Sequence, residues 1–179
     1  MIPFERTAIG AATASFTDLE RELLTDLATQ VIELLGEPPD AEFAGIGGGG
    51  ALSTDPAIAR LLPDAYRDDA EASREFRRFT ENSLAARKVA NARALIGALA
   101  ESGEIELGAD TQQAWLRALT DIRLIIASRL GIEDDDDPHY GDEADEAIEA
   151  IDVRDADLMM RDIYDWLGMV QGSLIEAVE

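Results

Sequence analysis

Two groups of residues in this chain have the types and spacing to do chemistry, and they carry opposite charge. The first is an acidic tract, Asp134 to Asp137, followed by Asp142, Glu143, Asp145 and Glu146. Clustered carboxylates are the oxygen ligands that calcium and magnesium take, which makes Asp134, Asp136 and Asp142 weak candidates for a metal site. An EF-hand loop requires glycine at its sixth position. With Gly141 there, Pro138 and Tyr140 fall on ligand positions and the motif fails. The tract reads instead as a mobile acidic loop over residues 133–143, with too little apolar surface to offset the entropy of ordering it. His139, the one histidine, lies inside it, where the surrounding acids favour its charged form and no neighbouring residue suggests a nucleophile.

The second group is basic. Residues 60–93 hold eight of the fifteen cationic side chains and six acids, in a chain whose net charge is −23. Guanidinium groups bind carboxylates and phosphates through paired N–H donors, so Arg67, Arg74, Arg78, Arg87, Lys88 and Arg93 are candidates for a partner-docking surface. The competing reading is an internal salt-bridge network. Arg74 and Arg78 are four apart, as are Arg77 and Glu81, which puts each pair on one helix face. Residues 132–179 hold seventeen acids against two arginines, so a network has ample partners. Arginine outnumbers lysine fourteen to one, which reads as the signature of a GC-rich genome rather than a functional choice.

Composition excludes several chemistries. There is no cysteine, hence no disulfide, thiolate metal site or thiol nucleophile. One histidine leaves no multi-histidine zinc site and no Ser-His-Asp triad with a spare base. The run Gly47 to Gly50 leads into Ala51-Leu52-Ser53 without the Gly-Lys-Ser/Thr ending that a phosphate loop needs. It reads as part of a flexible glycine-rich loop over residues 37–54. The expectation is a non-enzymatic protein without cofactor. A strong negative charge opposes non-specific nucleic-acid binding, which depends on lysine and arginine displacing counterions. No apolar run approaches the 18 residues of a membrane span, and MIPFERTAIG lacks the pattern of a signal peptide. A cytoplasmic location is expected, with a protein partner, no membrane, nucleic acid disfavoured as a direct ligand, and homodimerisation open.

The elements that must position these groups are mostly helical. Phe4 to Phe16 reads as a hairpin or an irregular strand, and Glu104 to Leu107 alternates like a short strand. Thr17-Asp18-Leu19-Glu20 has capping-box spacing, ahead of Leu19, Leu23, Leu27, Val31 and Leu34 on one helical stripe to Leu35. Asp55-Pro56 starts a short helix to Leu62. A long helix is predicted from about Ala70 to Ala100. Asp110 or Thr111 is expected to cap the most hydrophobic helix, whose central face is Trp115, Leu119, Ile122, Ile126 and Leu130. Asp155 is expected to start the last helix, presenting Met159, Ile163, Trp166, Leu167, Val170 and Leu174. Two of the three methionines 159, 160 and 169 are expected inside. The structural core is therefore assigned to Trp115, Leu119, Ile122, Ile126 and Trp166.

Three strings are also specific enough to suggest a relationship: RLLPDAYRDDAEASREFRRFTENSLAARKVANAR from Arg60, WLRALTDIRLIIASRLGI from Trp115, and YDWLGMVQGSL from Tyr164. Together they resemble the actinobacterial domain-of-unknown-function 2017 family. That family has no established biochemical activity, and the resemblance implies a role in transcriptional regulation and stress response. The combined expectation is a single domain over residues 1–179: a mostly α bundle of four or five helices with a small β element. The leading function is a regulatory or adaptor protein acting through protein contacts, with the arginine-rich helix face as docking surface. A DNA-binding or sigma-factor-associated stress regulator and a metal- or carboxylate-dependent hydrolase are the alternatives.

Overall fold

A computed structural model describes residues 1–36, 55–62, 70–132 and 150–179, with the side chains of 70–81 and 150–154 outside the description. The glycine run, Arg67, His139 and the acidic tract with Asp134, Asp136 and Asp142 lie outside the described residues. Within them the chain is mostly helical, with a small three-stranded antiparallel sheet. The fold class expected from sequence is borne out.

Strands β1 (Ile2–Arg6) and β2 (Ala12–Ser15) form the N-terminal hairpin. Gly10 turns the chain with φ 83, a left-handed conformation that costs glycine nothing in sterics. Its amide donates to the Thr7 carbonyl at 3.0 Å. Strand β3 (Ile105–Leu107) adds to the other side of β2, with Ala12, Thr13 and Ala14 opposite Leu107, Glu106 and Ile105. The alternation in β3 is a direct consequence of the two-residue strand period: Ile105 and Leu107 are buried and Glu106 is exposed.

Helix α1 (Asp18–Leu35) starts at a complete capping box. The Thr17 hydroxyl accepts from the Glu20 amide, and Glu20 Oε2 accepts from the Thr17 amide at 2.8 Å. Glu20 Oε1 also pairs with the Met1 ammonium at 2.8 Å. Burial pulls the Glu20 pKa up, but the bonds from the ammonium and from Thr17 outweigh it and hold it below the ordinary value of 4.5. A depressed carboxylate stabilises the fold above its unfolded pKa and loses that contribution as pH falls through its folded value. Glu20→Gln is therefore expected to flatten the acid limb of a melting-temperature profile below about pH 5, while a profile parallel to wild type would show the cap contributes nothing. The inward face of α1 is Leu24, Ala28 and Val31, flanked by Leu27, Leu34 and Leu35. Leu19, expected on that stripe, is 74% exposed. It lies on the side of α1 opposite Ala28, half a turn from the buried arc.

Helix α2 (Pro56–Leu61) is capped by Asp55, whose carboxylate accepts from the Ala57 amide at 2.9 Å. Helix α3 (Ala70–Leu99) packs against α1 and against α4 (Ala109–Arg129). The cap of α4 is Gly108, without a side-chain bond, rather than Asp110 or Thr111; Asp110 sits inside the first turn. There it complements the positive end of the helix dipole without capping it. Gly131, at φ 68, ends the helix, and the Ile132 amide reaches back to the Ala127 carbonyl at 2.9 Å, as a Schellman closure does. Helix α5 (Ala150–Val178) starts five residues before the expected Asp155. Its partner surfaces are α4 and β1.

The core forms where the sheet meets α4. Trp115 is completely buried, with Phe4 edge-on at 5.6 Å and Phe16 at 6.0 Å between ring centroids. Leu119, Ile122 and Ile126 continue the buried face down α4, against Leu95 and Leu99 of α3 and Leu167, Val170 and Leu174 of α5 in the same cluster. Trp166 is half-buried at the rim, because its neighbour Leu167 takes the inward position. Only one of the three methionines packs inside: Met160 lies against the core, while Met159 and Met169 are 66% and 63% exposed. The inward arc of α5 passes through Leu167, Val170 and Leu174. Met169 falls off it, whereas Met159, three turns before Val170, shares it but stands exposed toward the other end of the helix.

Among the described residues, Gln112 and Arg21 fasten the sheet to the bundle together with Ser173 of α5, whose hydroxyl accepts from the Phe4 amide at 3.3 Å. Buried Gln112 on α4 donates to the carbonyls of Gly10 and Leu107, each at 3.0 Å. Arg21 on α1 gathers the carbonyls of Leu99 and Glu101, at 2.9 and 2.8 Å, with Gly103 and Phe16. These include orphan acceptors at the end of α3, which a helix C-terminus leaves unsatisfied. Arg21→Ala is expected to cost about 2 kcal/mol, and Arg21→Lys to recover little of it, since one ammonium cannot span the same fork of acceptors. Full rescue by lysine in urea melts would reduce Arg21 to a point charge.

Candidate functional site

Helices α3 and α4 form the basic layer of the molecule. The described part of α3, residues 82–99, holds Arg87, Lys88 and Arg93 and no acid, while α4 holds three arginines and two aspartates. Their outer neighbours are acidic: α1 carries five acids and one arginine, and residues 155–178 of α5 carry five acids and one arginine. The charge separation visible along the chain is thus a separation between helices.

Between α3 and α4 runs an open groove of about 430 Å³, lined by Leu84, Arg87, Lys88 and Asn91 on one wall and Arg117, Thr120 and Asp121 on the other. The helical period explains the lining: 84, 87, 88 and 91 share one face of α3, as 117, 120 and 121 do on α4. Arg87 and Arg117 are exposed. Among the described residues neither makes a hydrogen bond or ion pair. Arg93 is exposed but not without a partner.

Lys88 behaves differently. Its ammonium pairs with Asp121 Oδ1 where the two helices meet, both side chains being largely removed from solvent. Asp121 is only 3% exposed, and its second oxygen, Oδ2, is buried without a hydrogen-bond partner among the described residues. Burial raises the Asp121 pKa above its ordinary 3.8, against the opposing pull of the Lys88 bond and charge. A buried carboxylate needs a cation to remain ionised, and the chain's single lysine supplies it. Lys88 is therefore a structural partner of α4 as well as a wall of the groove.

A second polar cluster joins α4 to α5. Arg123 lies over the Tyr164 ring at 4.6 Å and donates to Gln171 Oε1 at 3.0 Å. Gln171 in turn donates to Thr120 Oγ1 at 2.8 Å. Thr120 is thereby held in place at the edge of the groove.

The structure brings together Arg87 and Lys88 of the six basic candidates. Arg74 and Arg78 lie on α3 with side chains outside the description, and Arg67 lies outside the described residues altogether. Arg117, Asp121, Thr120 and Asn91 were not anticipated. Asp121 had a signal: it falls on the buried arc of α4 with Ala118, Ile122 and Ile125, and an acid there demands a partner. Among the described residues no group of three or more histidines, cysteines or acids is placed to hold a metal ion, and no helix is long and apolar enough to cross a membrane.

No curated protein and no solved structure matches the chain. The model of the family described as Domain of unknown function (DUF2017) matches residues 1–178. That match covers the strands, the basic layer and both walls of the groove alike, and the chain belongs to the DUF2017 family.

Proposed function

We propose that this protein is a non-enzymatic regulator or adaptor that works by docking a protein partner on the basic α3–α4 layer. One observation carries the reading: in a chain of net charge −23, Arg87 and Arg117 stand exposed and unpaired among the described residues on facing walls of one groove. Exposed charges of this kind contribute little to folding, at most about 1 kcal/mol each, and much to selecting and steering a partner. A cytoplasmic location and a part in transcriptional or stress control fit this reading. A duplex is a poorer fit, since the acidic α1 and α5 flank the basic layer and would oppose a broad phosphate surface.

The test is a pull-down from the native host's lysate with wild type and Arg87→Glu, both first checked by thermal melting. Unchanged melting with selective loss of a retained protein is the expected result. Equal retention by both, or a melting point lowered by Arg87→Glu, would return this arginine to the internal network.

A further inference from the structure

The docking reading does not say what the partner presents. We infer that the α3–α4 groove takes a short acidic peptide segment with an apolar residue at one end, its carboxylates held by Arg87 and Arg117 and its apolar side chain against Leu84. This inference rests on the docking reading and specifies its site and its ligand chemistry.

Three features lead to it. First, charge complementarity is local. Lys88 and Asp121 neutralise one another inside the groove, so its net positive charge comes from Arg87 and Arg117 on opposite walls. Two guanidinium forks facing across a groove suit two carboxylates on one chain. Second, the groove is an open strip between two helices, and each of those helices packs against an acidic one, α3 against α1 and α4 against α5. A single short acidic chain needs only the charge of Arg87 and Arg117, whereas a broad anionic surface would also meet the repulsion of the acidic α1 and α5. Third, the walls are firm. The Lys88–Asp121 pair pins α3 to α4, and the chain of bonds from Arg123 through Gln171 to Thr120 pins the α4 wall to α5. A preorganised site lets a weak electrostatic contact act without further ordering cost.

The experiment uses the full chain and a fluorescein-labelled peptide, Leu-Glu-Asp-Glu-Asp-Glu, followed by anisotropy. Saturable binding is expected, weakened roughly tenfold by Arg117→Glu and again by raising salt from about 50 to 500 mM. Arg161→Glu, on the acidic α5, should leave it unchanged. No binding by wild type, or equal weakening by Arg161→Glu, overturns the inference, the latter by reducing it to long-range attraction. Binding that appears only after Asp134 to Asp137 are changed to asparagine would make the chain's own acidic tract the occupant and would also overturn it. If the peptide fails to bind while Arg87→Glu still loses its lysate partner, the groove assignment falls and the docking reading stands. If neither Arg87→Glu nor Arg117→Glu changes anything in either assay, both fall.

Discussion

Trp115→Ala is expected to cost about 3–5 kcal/mol, the range for removing a fully enclosed aromatic side chain. The indole is the junction of the fold, where the hairpin contributes Phe4 and Phe16 and the bundle contributes α4. Its removal takes from Phe4 an edge contact and from Phe16 a tilted one, and opens a void that rigid neighbours cannot close. The magnitude is a large fraction of the stability of an ordinary domain. Trp115→Phe separates two effects. Trp115 Nε1 is buried without a hydrogen-bond partner among the described residues, and phenylalanine removes that N–H while keeping most of the ring. Its cost should therefore be much smaller, about 1–2 kcal/mol. Urea melts measure both. A loss below about 1 kcal/mol for the alanine variant would show that water already reaches the ring.

Lys88→Met has the second-largest expected effect, about 3 kcal/mol at neutral pH, because it strands the Asp121 carboxylate in the interface without its cation. The pH dependence has a definite sign. The folded pKa of Asp121 lies above its unfolded value. Its contribution to stability is therefore full below the ordinary 3.8 and is lost as pH rises through the folded value. This is opposite to Glu20. Removing Lys88 removes the bond and the charge that hold the Asp121 pKa down, so the folded value climbs further. The variant's deficit should be small near about pH 4 and grow toward about pH 7. A deficit independent of pH would mean that Lys88 contributes packing alone. The double variant Lys88→Met with Asp121→Leu should recover most of the loss, since apolar replacement of both partners removes the uncompensated charge. Lys88→Arg should not be silent, since a planar fork does not occupy the place of a compact ammonium.

What the sequence disclosed and what it withheld divide along physical lines. The capping box at Thr17 and Glu20, the Asp55-Pro56 start and the Trp115-to-Ile126 stripe are local grammar, readable because their causes lie within one helical turn or one periodic face. Leu19 misled because the buried arc of α1 runs through Leu24, Ala28 and Val31, on the other side of the helix. Met159 misled because a stripe shows which residues share a face and not how far along it that face is covered. The start of α5 was misplaced because its first residues, Ala150 to Arg154, hold one acid and one arginine among three apolar residues and show no clear helix-start signal in the sequence, whereas Asp155 does. The groove was half legible. Arg87 and Lys88 stood out by composition, but Arg117 and Asp121 come from another string, and their meeting with α3 is set by how two helices cross. The sequence did hold one clue to that meeting: a lone aspartate on a buried arc and a lone lysine in the chain.

The docking account rests on where a partner sits, and the absence of cysteine from the chain makes that directly measurable. Asn91→Cys, in the groove, and Gln30→Cys, on the exposed face of α1, each create one attachment point for a benzophenone maleimide. After photolysis in lysate, the protein whose retention depends on Arg87 should cross-link from position 91 and not from position 30. Equal yield at both positions, or cross-linking from position 30 alone, would place the partner elsewhere and contradict the account.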